Sequence, residues 1–179
     1  MTDAIAPAIT RPAHDIGDFS FLQGAWRATE RFLTKCGVGS DEWQAREAYL
    51  ILRPLLGGMA NAEEITYPGN PGLAVATFRC YEIASDEWII QAYVYGRRPE
   101  VPGMLGASGI LIPPLRGRFC GGRGDFFGET EYEGSPVRVR YVWRDITAIS
   151  AIWERSFSFD DGQSWELNIT WTLIRERTL

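Results

Sequence analysis

Arg140, Glu154, Glu166 and Asn168 are two carboxylates, a guanidinium and an amide at spacings that could gather them into one site. Side chains along a strand alternate between its two faces. Over 136–144 this sets Arg138, Arg140 and Val142 against Val139, Tyr141 and Trp143. Over 150–159 it sets Ile152, Glu154 and Ser156 against Trp153, Arg155 and Phe157. Over 164–177 it sets Glu166, Asn168, Thr170 and Thr172 against Trp165, Leu167, Ile169, Trp171 and Leu173. Two arrangements are open. In one, the charged rows face solvent and the aromatic rows fill the core. In the other, Glu154, Glu166, Asn168 and Arg140 are neighbours in a polar interior. An arginine beside two carboxylates would hold them ionised to recognise a carbonyl or hydroxyl. A glutamate desolvated by Trp or Phe would instead act as a general acid or base. Tyr93, Tyr95 and Tyr141 offer phenolic donors to a ligand oxygen, and Arg138 joins them as a ligand-binding candidate.

His14 is the single histidine. Next to Asp15 it is either a proton-transfer partner, and so a catalytic candidate, or a residue that pins the N-terminal turn. One histidine cannot build a His-rich zinc site, so no metal is expected. Cys36, Cys80 and Cys120 are widely spaced, without a CxxC pair, and read as reduced and structural. There is no phosphate-binding glycine loop and no nucleophile elbow; Gly121-Gly122-Arg123-Gly124 lacks the strand-to-helix setting. No cofactor is expected.

Such residues need strands to position them, and the sequence supplies strands throughout. Period-two alternation recurs over 24–33, 42–53, 60–67, 73–82, 87–95, 117–120, 124–133, 136–144, 150–159 and 164–177. Between these runs lie turn residues, clearest at Asp161-Gly162, where an antiparallel hairpin is expected. About ten antiparallel strands with no long helix predict an all-β, up-and-down barrel or a sandwich. A short turn capped by Asp15 or Asp18 is expected to end at Leu22 and point Phe19 and Leu22 at the barrel floor. The proline-rich segment 96–116 reads as a long loop, and its apolar residues suit a lid or a partner-facing patch.

Composition narrows the partners. The 179 residues include 45% hydrophobic and 13% aromatic residues, enough for one sizeable core. Residues 1–13 read as a flexible tail and 14–179 as one domain. A formal charge of −5 without a basic stripe argues against nucleic acid. No apolar run suits a signal peptide or a membrane span, so a cytoplasmic protein without a membrane partner is expected.

Gly24-Ala25-Trp26 stands at the start of the first strand, where glycine permits a bend and the indole can plug a barrel end. The run His14-Asp15-x-x-Asp18-Phe19-x-Phe21-Leu22-x-Gly24-x-Trp26 resembles the opening of a bacterial lipocalin-like (calycin) family of unknown function. Arg53-Pro54-Leu55-Leu56-Gly57-Gly58, the segment 137–147 and the segments 151–158 and 161–168 resemble that family too, at Arg140, Glu154, Glu166 and Asn168 among others. The resemblance implies a calycin-type barrel and no particular activity. It also implies that Arg175 or Arg177 stacks on Trp26. Haem-binding calycins carry an iron-ligating histidine in a late strand, and 150–177 contains none. The expected function is binding of a small hydrophobic or aromatic molecule in the lumen. The alternative is a cofactor-independent isomerase, cyclase or lyase using Glu, Arg and Tyr in that same lumen. A homodimer is a further option, although barrel closure removes the free edges it would use.

Overall fold

The computed structural model describes residues 17–96 and 110–176. The alternating runs form the strands β1 (Gly24–Leu33), β2 (Trp43–Leu55), β3 (Ala60–Thr66), β4 (Ala74–Glu82) and β5 (Glu87–Tyr95). They continue as β6 (Ile110–Leu111), β7 (Leu115–Cys120), β8 (Arg123–Tyr132), β9 (Ser135–Arg144), β10 (Ser150–Ser158) and β11 (Glu166–Arg175). Each long strand pairs antiparallel with its neighbours in sequence, and β1 closes the ring against β11 from Trp26↔Arg175 to Phe32↔Ile169. The result is a closed up-and-down barrel of ten strand positions, consistent with a calycin-like barrel. β6 and β7 share one position along β5, pairing at Tyr93↔Leu111 and Trp88↔Gly117. Pro113 and Pro114 lie between them, where a residue without an N–H interrupts the ladder. Among the described residues, no helix is long and apolar enough to cross a membrane.

The lower end of the barrel is sealed by aromatic packing. Phe19 is buried and meets Trp88 and Phe119 edge-on, each ring centre 5.0 Å away. Among the described residues no side chain caps its short 3-10 turn, Ser20–Leu22. Of the two expected caps, Asp18 accepts a 3.3 Å hydrogen bond from Trp88 Nε1. Asp15, His14 and Arg177 lie outside the described residues.

Trp26 Nε1 donates to Leu22 O at 2.9 Å, which ties the turn to the first strand. Arg175 lies over the indole, its guanidinium carbon 4.3 Å from the ring centre. The same guanidinium donates to Ala148 O at 2.7 Å, to Gln23 O at 2.5 Å and to Phe21 O. Gly24 makes room for it. With φ at +95°, a side chain there would be strained, and a Cβ would sit 3.4 Å from Arg175.

At the opposite end of β10 and β11, Asp161 and Gly162 both adopt positive φ, as the hairpin needs. Asp160 organises that turn, accepting from the Ser164 hydroxyl at 2.5 Å, the Ser164 amide at 2.8 Å and the Ser158 hydroxyl at 2.8 Å. Those bonds, Ser164 foremost, pull its carboxyl down from 3.8 to about 2.

Two outcomes follow from these contacts. Arg175→Ala should lower stability by about 2–3 kcal/mol in urea unfolding, and Arg175→Lys should recover less than half, because one ammonium cannot reproduce the planar fork. Asp160 has a depressed folded-state pKa, so its contribution is present above pH 3.8 and is lost as pH falls through about 2. Unfolding curves of the native chain and Asp160→Asn should therefore converge between about pH 4 and pH 2.

Candidate functional site

Above the aromatic floor, the inward rows leave a cavity of about 80 Å³. That is room for roughly six waters, or for a small ligand. One wall is aromatic: Tyr141 and Trp143 from β9, Trp153 from β10 and Trp171 from β11. Trp153 is the hinge of this wall, its ring centre 4.9 Å from Tyr141 and 5.2 Å from Trp171. The remaining apolar lining comes mainly from β3, β4 and β5, and Ile112 adds a contact from the segment expected to be a loop.

Set into this lining are four charged side chains, Glu30, Glu63, Arg79 and Arg155, all less than 5% exposed. Burying charge is costly unless it is paired. Glu30 takes both arms of the neighbouring Arg46, with Nε–Oε2 2.7 Å and Nη2–Oε1 2.9 Å. Arg46 also lies over the Phe32 and Tyr67 rings. Arg79 reaches Glu63 Oε2 through Nη2 at 2.5 Å and Asn61 Oδ1 through Nη1 at 3.0 Å. Arg155 donates through Nε to Asn168 Oδ1 at 2.7 Å.

The pairing is incomplete on the atoms that matter most. Glu63 Oε1, Arg79 Nε and Trp171 Nε1 are buried, belong to residues that line the cavity, and have no hydrogen-bond partner among the described residues. Leaving such a group unsatisfied costs about 1–3 kcal/mol, so a resident molecule that meets them gains affinity there.

The residues expected to share the lumen do not all meet there. Tyr141 lines the cavity. Asn168 is fully buried beside Arg155, where a bulge between Arg155 and Ser156 shifts the β10–β11 register. Glu154 lies between the inward Trp153 and Arg155, so it points outward, where Arg144 Nη2 bonds it at 2.6 Å. Glu166 receives the Gly37 amide at 2.9 and 3.1 Å and pins a loop at the barrel rim. Arg140 is also on the outer face, 4.9 Å over the Trp165 ring. Arg138 pairs there with Asp161 at 2.7 Å. Tyr93 and Tyr95 are exposed on the outside of β5, in a shallow groove with Ile51 and Leu55. His14 lies outside the described residues.

The strand phase is the physical reason for these placements. The aromatic row of each C-terminal strand fills the interior, so the polar row beside it must face out. What was missed are the charges that ride in the apolar phase. Glu30 follows Trp26 and Ala28, Arg79 follows Val75 and Thr77, and Arg155 follows Ala151 and Trp153, each at steps of two. A charge in the inward register was the available signal.

Among the described residues, no group of three or more His, Cys, Asp or Glu side chains could hold a metal ion. Burial pushes the Cys36 thiol up to about 11, which makes it a poor nucleophile at neutral pH. No protein-family model matches the chain, and no curated protein is significantly similar to it.

The buried Glu63–Arg79 pair sets a stability test. Arg79→Met alone strands a buried carboxylate and should cost about 3–5 kcal/mol in chemical denaturation. Adding Glu63→Leu removes the stranded charge and should restore most of that loss.

Proposed function

We propose that this chain binds a small aromatic or hydrophobic molecule inside the barrel. The observation that carries this reading is a cavity with an aromatic wall on Tyr141, Trp143, Trp153 and Trp171 and with buried polar atoms on Glu63, Arg79 and Trp171 that have no hydrogen-bond partner among the described residues. Flat aromatic walls reward a flat apolar guest, and a few fixed polar atoms orient it. A core built for stability alone would satisfy those atoms or replace them with apolar groups. The Gly24-Ala25-Trp26 floor with Arg175 across its indole supports placing the chain among calycin, lipocalin-like barrels, whose interiors commonly hold one small ligand.

The enzyme reading drew on Glu154, Glu166 and Arg140 meeting in the lumen. Glu154 and Arg140 occupy the outer face and Glu166 holds a rim loop, so binding is the reading with the stronger support.

The test uses 1-aminonaphthalene, a small neutral arene whose emission rises in an apolar site. It should bind with one-to-one stoichiometry. Trp153→Ala should weaken that binding by about tenfold or more, because the substitution deletes the centre of the aromatic wall. Glu154→Gln should leave it unchanged. Binding that ignores Trp153→Ala, or no binding at all, would sink the proposal.

A further inference from the structure

Glu63 and Arg79 meet end-on, and that geometry leaves a particular pair of atoms unused. A guanidinium can grip a carboxylate with two parallel hydrogen bonds. Here a single arm, Arg79 Nη2, reaches Glu63 Oε2, while Nη1 turns to Asn61. One acceptor, Glu63 Oε1, and one donor, Arg79 Nε, remain buried in the same ion pair without a hydrogen-bond partner among the described residues. Both side chains are 4% exposed and line the cavity. The registers Asn61↔Arg79 and Glu63↔Thr77 make them diagonal neighbours on β3 and β4.

Resting on the lumenal binding reading, we propose that the ligand is a neutral arene whose head group both donates and accepts a hydrogen bond, as a carboxamide or a hydroxyl does. Such a head gives its proton to Glu63 Oε1 and takes one from Arg79 Nε, so both orphaned atoms are satisfied at once. A carboxylate meets Arg79 but sets its second oxygen against Glu63. An ammonium meets Glu63 but leaves Arg79 Nε without an acceptor and adds a cation beside a guanidinium. Each charged head satisfies one atom and is penalised at the other, which is how a site rejects analogues of the same shape.

Trp171 Nε1 refines the guest. It is a donor only, on β11, four strand positions away around the ring from β4. A second acceptor at the opposite end of the ligand therefore adds affinity, whereas a second donor adds none.

The test is calorimetric titration of the purified chain with three probes of one ring system: 2-naphthamide, 2-naphthoate and naphthalen-2-ylmethylamine. At neutral pH the amide should bind at least about tenfold more tightly than either charged probe, the size of one buried group left unpaired. In the double variant Glu63→Leu/Arg79→Met, with its fold checked by thermal melting, that preference should fall below about threefold, with the naphthyl ring still bound. Equal or tighter binding of the carboxylate by the native chain overturns the inference and leaves lumenal binding intact. A preference for the amide that survives in the double variant also overturns it, because some other group would then read the head. If none of the probes binds, the lumenal reading fails and this inference with it.

Discussion

The pairing of β1 with β11 is the constraint from which the other features follow. It joins the first strand to the last over seven residue pairs, from Trp26↔Arg175 to Phe32↔Ile169. Once the ring is closed, every strand has one face that cannot reach water and one that can. That division fixes which residues can contact a guest and which can only decorate the wall. It also explains why the seal is concentrated at this seam. Trp26 and Arg175 are the first pair in the register, and they tie the N-terminal turn, the first strand and the last strand together in one contact.

Within the ring the interior is divided by depth. Phe19 meets Trp88 and Phe119 edge-on and stacks on Phe126 to fill the floor, and Trp143 links that layer to the cavity above it. Above the floor ion pairs replace aliphatic filler, and some of their atoms have no hydrogen-bond partner among the described residues. Buried pairs such as Glu30–Arg46 and Glu63–Arg79 are weak sources of stability, since apolar residues of equal volume would serve as well or better. In the lumenal proposal they serve recognition: an arene would lie against the tryptophan wall, with the fixed dipoles opposite choosing its head group and orientation.

The fold was legible because its signals are local. Alternation located ten of the eleven strands, and Asp161-Gly162 and Gly24-Ala25-Trp26 marked the hairpin and the floor. The two-residue strand β6 was hidden among prolines and falls where the loop was expected. The site was much less legible. Glu154 and Arg140 attract attention because they form polar rows, yet a polar row is what solvent selects. Glu63 and Arg79 sit in buried rows beside Asn61, Ile65, Val75 and Thr77, and their partnership depends on the β3–β4 register, which joins residues 16 apart. Alternation leaves Asn168 open between the two faces, and a bulge settles its burial beside Arg155. Bulges insert a residue without a reliable sequence mark, so faces read by strict alternation drift after them.

The lumenal proposal makes one claim above all, that the guest sits inside the ring, against Trp171 and the Glu63–Arg79 pair, and not on the outer wall. Proton–nitrogen correlation spectra of the seven tryptophan indoles, recorded while 2-naphthamide is added, test this directly. The claim predicts that the Trp171 Nε1–H resonance moves downfield as it gains an acceptor, together with the Arg79 Nε–H, while the outer-face Trp165 stays in place. A shift confined to Trp165, with Trp171 and Arg79 unmoved, would put the ligand on the wall and contradict the account.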